Sequence, residues 1–330
     1  MKKIKKKYMT GIQSTGTPHL GNILSVILPT IKYINKKKKK NLFFILIADL
    51  HSITNYKNLF LLKDNIYKTA AVWLSLLKRK KKIIFFRQSD IKEINELFWY
   101  LNCFYPFNRL KLSHSYKNKS NKNINTGIIN YPLLMASDIL LYNINNVFIG
   151  KDQIQHIEIT RKIAKIVNNK INKKIFILPK YKIKYNFIIP GIDGRKMSKS
   201  NNNFINIFDN KYILEKQIMN IKTINKSIKD ITYNDIKKTI LFKIYYLISN
   251  KEEFFFLKEK IKNNKISFIT IKKMLYKYIL IFYYKERKKY SYYLNNKYII
   301  KNFLYKGFKK AKIIAKKKIS FIKKKLGLNI

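Results

Sequence analysis

Cysteine is nearly absent: Cys103 stands alone in 330 residues. One thiol excludes an intrachain disulfide framework and a multi-thiolate metal centre. Its neighbours Leu101, Phe104 and Tyr105 mark it as an expected buried filler. The four histidines, His19, His51, His114 and His156, include no helical i, i+4 pair of the kind that holds zinc. Long apolar runs are missing too. The run 42–48 falls far short of the roughly 20 residues a bilayer-spanning helix needs. The basic start, Met-Lys-Lys-Ile-Lys-Lys-Lys, is not followed by the apolar stretch of about 7–15 residues that a secretory signal requires. No membrane association and a cytoplasmic location are therefore expected. Glycine (9) and proline (6) are scarce, and 17 acids face 71 Lys+Arg. Neither G-x-x-x-x-G-K-[ST] nor G-x-G-x-x-G occurs, so the commonest nucleotide motifs are absent.

What is present is a chain with 47% apolar residues, enough for a folded core and for one large or two ordinary domains. A net charge of +54 attracts polyanions, above all nucleic acid, with steep salt dependence. An A+T-rich coding sequence would produce the same flood of Lys, Asn, Ile, Phe and Tyr. Only clustered or motif-bound lysines therefore carry weight.

Short continuous apolar runs bounded by polar ends predict buried parallel strands at 4–10, 42–48, 83–86 and 147–150. Helices are predicted over 20–34, 63–78, 91–104 and 131–142, and the stretch Lys151 to Glu158 leads into another that runs to about 168. Pro29 should kink or end the first of them. Residues 36–40 are a solvated lysine loop, and 108–127 a polar, mobile one. Beyond about 210 the pattern is helical, without glycine until Gly307. The reading is α/β: a Rossmann-like parallel-sheet domain over 1–205, with a helical insertion at about 90–130, and an α-helical domain over 206–330.

The stretch Tyr8 to Asn22 reads as a strand end, a glycine-bearing turn and a helix start. Unpaired N–H groups at such a start make a natural phosphate cradle. Asp138 is the single acid in the otherwise apolar helix 131–142. Taken alone, it is most simply bonded to nearby backbone, because an unpaired buried carboxylate costs several kcal/mol, by order of magnitude. His156, taken alone, is a polar helix-face residue.

Pro18-His19-Leu20-Gly21-Asn22 resembles the HIGH element of class I aminoacyl-tRNA synthetases, and Lys196-Met197-Ser198-Lys199-Ser200 is their KMSKS loop letter for letter. Four further stretches resemble the tryptophanyl branch. They are Gly11 to Gly16 (G-I-Q-S-T-G), Ile47 to Thr54, Tyr131 to Tyr142 (Y-P-L-L-M-A-S-D-I-L-L-Y) and Gly150 to Arg161. The likeness runs collinearly from about Met9 to about Phe204 and rests on helical character alone beyond it. The tyrosyl branch is the alternative; its bacterial members carry Gln-Ala-x-x-Asp where this chain has Met135-Ala136-Ser137-Asp138. A decayed, non-catalytic RNA-binding relative is a second alternative.

The resemblance implies a tryptophan–tRNA ligase that forms tryptophanyl-adenylate from L-tryptophan and ATP, with Mg2+ carried on the triphosphate, and loads tRNA(Trp). It implies His19, Asn22, Lys196 and Lys199 in the phosphate chemistry. ATP would also meet Gln13, Ser14, Thr15, Gly21, Gly150, Lys151, Asp152, Ile189, Met197, Ser198 and Ser200. Tryptophan would meet Met9, Gly11, His51, Tyr131, Met135, Asp138, Ile139, Val147 and Gln153, with Asp138 accepting the indole N–H. That overturns the reading of Asp138 taken alone. Gly191 and Gly194 would let the KMSKS loop move, and Lys117 and Lys119 would reach the triphosphate. No protein-bound metal is implied. A homodimer built through about 60–130 and tRNA carried by the C-terminal helices are further implications. Ser137, Lys151 and Asn201 depart from the family's usual residues, and Pro29 sits in the helix that carries Asn22.

Overall fold

The computed structural model describes residues 6–36, 41–54, 59–78, 83–113, 125–185, 187–224, 233–263 and 266–328. β1 (Lys7–Gln13) leads into α1 (Leu20–Asn22), a π-helical turn (Ile23–Ile27) and α2 (Leu28–Lys36). β2 (Leu42–Ala48) precedes α3 (Asp49–Ile53) and α4 (Leu62–Leu76). β3 (Ile83–Arg87) precedes α5 (Lys92–Phe104), α6 (Phe107–Leu110) and α7 (Thr126–Leu140). β4 (Asn146–Phe148), α8 (Ile154–Lys170) and β5 (Lys180–Lys182) complete the sheet. Seven helices follow among the described residues: α9 (Lys211–Met219), α10 (Tyr233–Lys238), α11 (Ile240–Ile248), α12 (Lys251–Asn263), α13 (Phe268–Phe282), α14 (Tyr284–Asn295) and α15 (Lys297–Leu326).

The five strands are parallel in the order β3-β2-β1-β4-β5. In β2, Phe43, Ile45 and Ile47 enter one apolar core, while Phe44 and Leu46 enter the core on the opposite face. That alternation explains the unbroken apolar run: both faces of the strand are covered. The order reverses at β1, with β2 on one side and β4 on the other. Such a switch point opens a crevice at the carboxyl ends of the two strands.

Several expectations need correction. β1 pairs with β2 from Lys7–Leu42 to Gln13–Ala48, so the strand lies about three residues beyond the predicted 4–10. The seven-residue partner carries it through Gly11, a long-range influence that local pattern does not show. Pro29 does not end its helix, which runs on to Lys36. The π turn just before it widens the hydrogen-bond spacing, with Leu28 N–H reaching Ile23 C=O, and takes up the bond that proline cannot make. Cys103 is exposed. On α5 the inward face holds Ile94, Leu97 and Leu101, and Cys103 shares the outward face with Trp99 four positions earlier. Lys117 and Lys119 lie outside the described residues.

The C-terminal helices share cores with the sheet. Leu275, Ile279, Tyr283 and Tyr290 join the core that contains Tyr8, Ile12 and Ile45. Ala311, Ala315 and Ile319 of α15 join the other. α15 lies across β3, the edge strand, so closely that a Cβ on Gly307 would stand 1.7 Å from the Phe85 carbonyl oxygen. That contact explains the lone glycine in this part of α15. It also covers the sheet edge, a surface that otherwise invites pairing with another chain. No described helix is long and apolar enough to cross a membrane.

Candidate active site

A cleft of about 980 Å3 opens at the switch point, between the carboxyl ends of β1 and β4. Its floor is apolar. Met9 and Gly11 from β1, Val147 from β4, and Met135 and Ile139 from α7 line it together with His51 and Tyr131. Gly11 adds no side chain to the floor; a Cβ there would meet only Leu46, in ordinary contact at 3.7 Å.

Asp138 is the one acid in that floor, and it is 3% exposed. His51 Nε2 lies 3.3 Å from its Oδ2, and the Gln88 amide donates to Oδ1 at 3.0 Å and to Oδ2 at 2.9 Å. Gln88 also accepts the His51 backbone N–H through Oε1. Burial pushes the Asp138 carboxyl above its ordinary range, against the donors on His51 and Gln88 that favour the charged form. A carboxylate offers about four acceptor positions. Two donor groups reach it, the His51 imidazole and the Gln88 amide shared between both oxygens, so acceptor capacity is left for a donor in the cleft. The simplest reading of Asp138, a bond to nearby backbone, is replaced by a side-chain network.

Tyr131 packs its ring 4.2 Å from that of His51 and 5.3 Å from that of His156. Its hydroxyl accepts from Gln13 Nε2 at 3.1 Å, and burial raises it to about 12, so it stays protonated. His156 thus stands behind the cleft wall, on α8, and not on a solvent face.

The other end of the cleft is charged. His19, the N-cap of α1, accepts the Asn22 N–H on Nδ1 at 3.4 Å, while its own N–H donates to Asn22 Oδ1 at 3.2 Å. Leu20 N–H goes to the Ile205 carbonyl, and Gly21 N–H points at Met197 Sδ at 3.2 Å. The first N–H groups of this helix are therefore spent within the protein. The predicted backbone phosphate cradle is not open; the free donors here are side chains. With Nδ1 accepting, the His19 proton sits on Nε2. Burial, and then the charges of Lys199 and Lys196, hold the imidazole down at about 3, so it is neutral.

Lys196 and Lys199 come from the loop after Ile189. A bridge between Pro190 and Lys196, and a bond from Met197 N–H to Ile189 C=O, close the loop at its base. Gly194 turns it with φ +87°. Asn203, 2% exposed, pins it from inside: its Oδ1 takes the Ser198 N–H at 2.8 Å, and its Nδ2 donates to the Lys196 carbonyl and to Asp193. Lys199 reaches over Gly16, where a Cβ would lie 2.9 Å from Nζ. Burial and the neighbouring Lys68 bring its ammonium down to about 8. Lys196 Nζ is paired with Asp152 Oδ2 at 3.0 Å. Partial burial works to raise the Asp152 carboxyl, but Lys196 prevails and holds it below its ordinary range. Asp152 folds back over Gly150, where a Cβ would lie 2.6 Å from Oδ1, and accepts from Gln153.

The cleft thus gathers Gln13, Thr15, Gly21, Asn22, Gly150, Lys151, Gln153, Ile189, Ser198 and Ser200 with the residues above. Ser14 is the exception. It is wholly buried, with its N–H and hydroxyl on Ser52 Oγ, so its side chain supports the turn from below. Sequence reasoning missed Gln88 and Asn203. The polar end of the apolar run 83–86 was a signal for the first; three asparagines after the loop concealed the second.

Residues 1–262 match the family of class I tRNA synthetases for W and Y. The chain is 36% identical over 325 residues to the tryptophan–tRNA ligase of Campylobacter jejuni, covering 98% of this chain and 100% of that one. It is also 36% identical over 326 residues to that of Fusobacterium nucleatum, covering 98% of each. The crystal structure of the C. jejuni tryptophanyl-tRNA synthetase complexed with ADP and tryptophan superposes with a TM-score of 0.87 at 35% identity, over 98% of this chain and 100% of that one.

Proposed function

From the premise that the chain belongs to the class I tRNA synthetases for tryptophan and tyrosine, we propose that it is a tryptophan–tRNA ligase. The observation that carries the reading is the spare acceptor on Asp138 at the bottom of an apolar floor. An indole has one N–H to donate and a broad apolar body to bury. A site built round one buried acceptor rejects a ring that cannot pair it, by roughly 10⁴–10⁵ in comparable cases. The phenol of tyrosine can also donate, so the shape made by Met135 and Ile139 excludes it.

The tryptophan carboxylate attacks the α-phosphorus of ATP, the bond to the bridging oxygen breaks, and diphosphate leaves with the electron pair. The terminal ribose hydroxyl of tRNA then attacks the acyl carbon and AMP departs. Positioning and charge stabilisation supply the rate, with no protein nucleophile. Tyr131 and Gln153 hold the amino group. Gly150 and Asp152 take the ribose, and Ile189 lies by the adenine. Neutral His19 donates from Nε2, and Asn22 donates beside it. Lys196, Lys199, Ser198 and Ser200 follow the diphosphate. Mg2+ arrives with the triphosphate as part of the substrate.

The helices beyond residue 206 carry tRNA(Trp), with lysines for phosphates and exposed aromatics such as Tyr284, Tyr292 and Tyr298 for stacking. The protein is a cytoplasmic homodimer; exposed Trp99, Phe107 and Leu112 are apolar surface suited to a partner copy. ATP–diphosphate exchange with each amino acid tests the reading. Tryptophan should support exchange. Exchange with tyrosine alone would sink it, and tRNA binding without any exchange would leave a non-catalytic RNA-binding relative.

A further inference from the structure

At the amino ends of the strands, on the side of the sheet away from the cleft, a second cavity of about 400 Å3 lies between β1, the end of α7 and α15. Lys7, Lys174, Lys317 and Lys318 line it with Asn143 and Phe321, and no carboxylate lines it. β1 alone separates it from the cleft by about 20 Å, at 3.3 Å per residue.

Two of the four lysines are built in. Lys7 Nζ donates to the Tyr142 carbonyl at 3.0 Å, and Lys318 Nζ donates to the Ile175 carbonyl at 2.6 Å. The Lys318 ammonium also lies over the rings of Phe176 and Phe321, at 5.2 and 5.4 Å. Each ammonium has three donors, so each keeps two for a ligand. Neither lysine makes an ion pair among the described residues. Burial, and then the charge of Lys7, push Lys318 down to about 8; burial also lowers Lys7. Holding these like charges together without a counter-charge is unfavourable, and an oxyanion between them removes the cost. Lys174 and Lys317 are exposed at the mouth. Lys325 lies beside Lys173, each raising the local positive potential.

We propose that this cavity seats a phosphate group, held by Lys7 and Lys318 on its floor and by Lys174 and Lys317 at its rim. The phosphate is either a backbone phosphodiester of bound RNA or free inorganic phosphate. Lysine suits such a ligand as a mobile point charge with several donors. The assignment does not depend on which amino acid the cleft activates.

Two double variants of the full chain test it: Lys174→Gln with Lys317→Gln, which alters only exposed side chains, and Lys7→Gln with Lys318→Gln. Amino-acid-dependent ATP–diphosphate exchange should be unchanged in the first, which shows that it is folded. If RNA is the source, bulk tRNA bound by the wild type should lose roughly threefold more affinity between about 50 and 200 mM salt than tRNA bound by the first variant, as one phosphate contact requires. If free anion is the source, inorganic phosphate should raise the wild-type melting temperature above a chloride control of equal ionic strength. That increment should shrink in both variants while tRNA binding stays the same. Identical salt slopes and identical phosphate increments in the wild type and both variants would overturn the proposal.

Discussion

The Gln88 amide nitrogen donates to both carboxylate oxygens of Asp138, at 3.0 and 2.9 Å, while its own oxygen holds the backbone of His51. One side chain thus orients the acid and the imidazole beside it. Replacing Gln88 by Met keeps the volume and removes the donors. The Asp138 carboxyl, already raised by burial, should rise further, because hydrogen bonds to the charged form are what restrain it. The acid limb of the pH profile for tryptophan-dependent exchange should move up by about one unit, and kcat/KM should fall about 10- to 100-fold, near 1.4–2.7 kcal/mol. An unmoved acid limb would show that Gln88 is only filler.

Asp138→Ala should remove tryptophan activation, with at least a 10³-fold loss on the scale measured where a buried partner is deleted. ATP affinity, read by equilibrium dialysis, should stay within about twofold, since no charged-end residue contacts Asp138.

His19 gives a stability signal with a definite sign. Its imidazole is held at about 3 against an ordinary 6.5. At pH above 6.5 both folded and unfolded forms are neutral there, and the residue contributes no pH dependence. Between 6.5 and 3 the unfolded chain binds a proton that the folded one refuses, so stability falls as pH falls. Urea unfolding of His19→Asn should lose less stability between pH 7 and 4.5 than the wild type. The difference should be on the order of 1–2 kcal/mol after allowing for partial solvent screening. Equal losses would mean that His19 titrates normally.

Asn203→Ala leaves the Ser198 N–H and the Lys196 carbonyl without their partner. A buried group left unsatisfied costs about 1–3 kcal/mol. The melting temperature should drop by several degrees, and kcat for exchange should fall more than KM for tryptophan rises, as the proposed action of the loop on the phosphates requires. The reverse split would place Asn203 outside loop positioning.

Trp99→Glu with Phe107→Glu should turn the proposed homodimer into a monomer in sedimentation or gel filtration, since both side chains are exposed apolar surface. A dimer that survives both changes would place the interface elsewhere.

The sequence was most readable where one residue type performs one job. Asp138, Lys196 and Lys199 sit in short strings, and the cleft contains them. The buried strands were readable because an apolar run covered on both faces has no other simple form. Gln88 and Asn203 were not readable, because their hydrogen-bond partners lie 50 and 5 to 10 positions away, and amides are abundant in this chain. Cys103 was misplaced because neighbours in sequence are not neighbours on a helix: Leu101 is two positions away and on the opposite face. The open start of α1 was misjudged for a related reason. Its N–H groups are answered by Ile205 and Met197, far along the chain.

Gly307→Ala would drive a methyl group into the Phe85 backbone, with no flexible side chain able to yield. Overpacking of that kind costs about 1–3 kcal/mol or more, and hydrogen exchange should show β3 losing protection ahead of β1 and β2. Retained protection at β3 would mean that α15 can shift to absorb the methyl.

The same crossing bears on how the chain reaches its native state. Roughly two hundred residues separate β3 from the helix that covers it. Contacts of such long span carry a high loop-closure cost, so α15 should dock after the β1-β2-β3 ladder has formed. Until α15 docks, every partly folded molecule offers an uncovered row of backbone donors and acceptors. The slow step of folding and the window for self-association therefore coincide, and refolding yield should fall with protein concentration more steeply in Gly307→Ala than in the wild type.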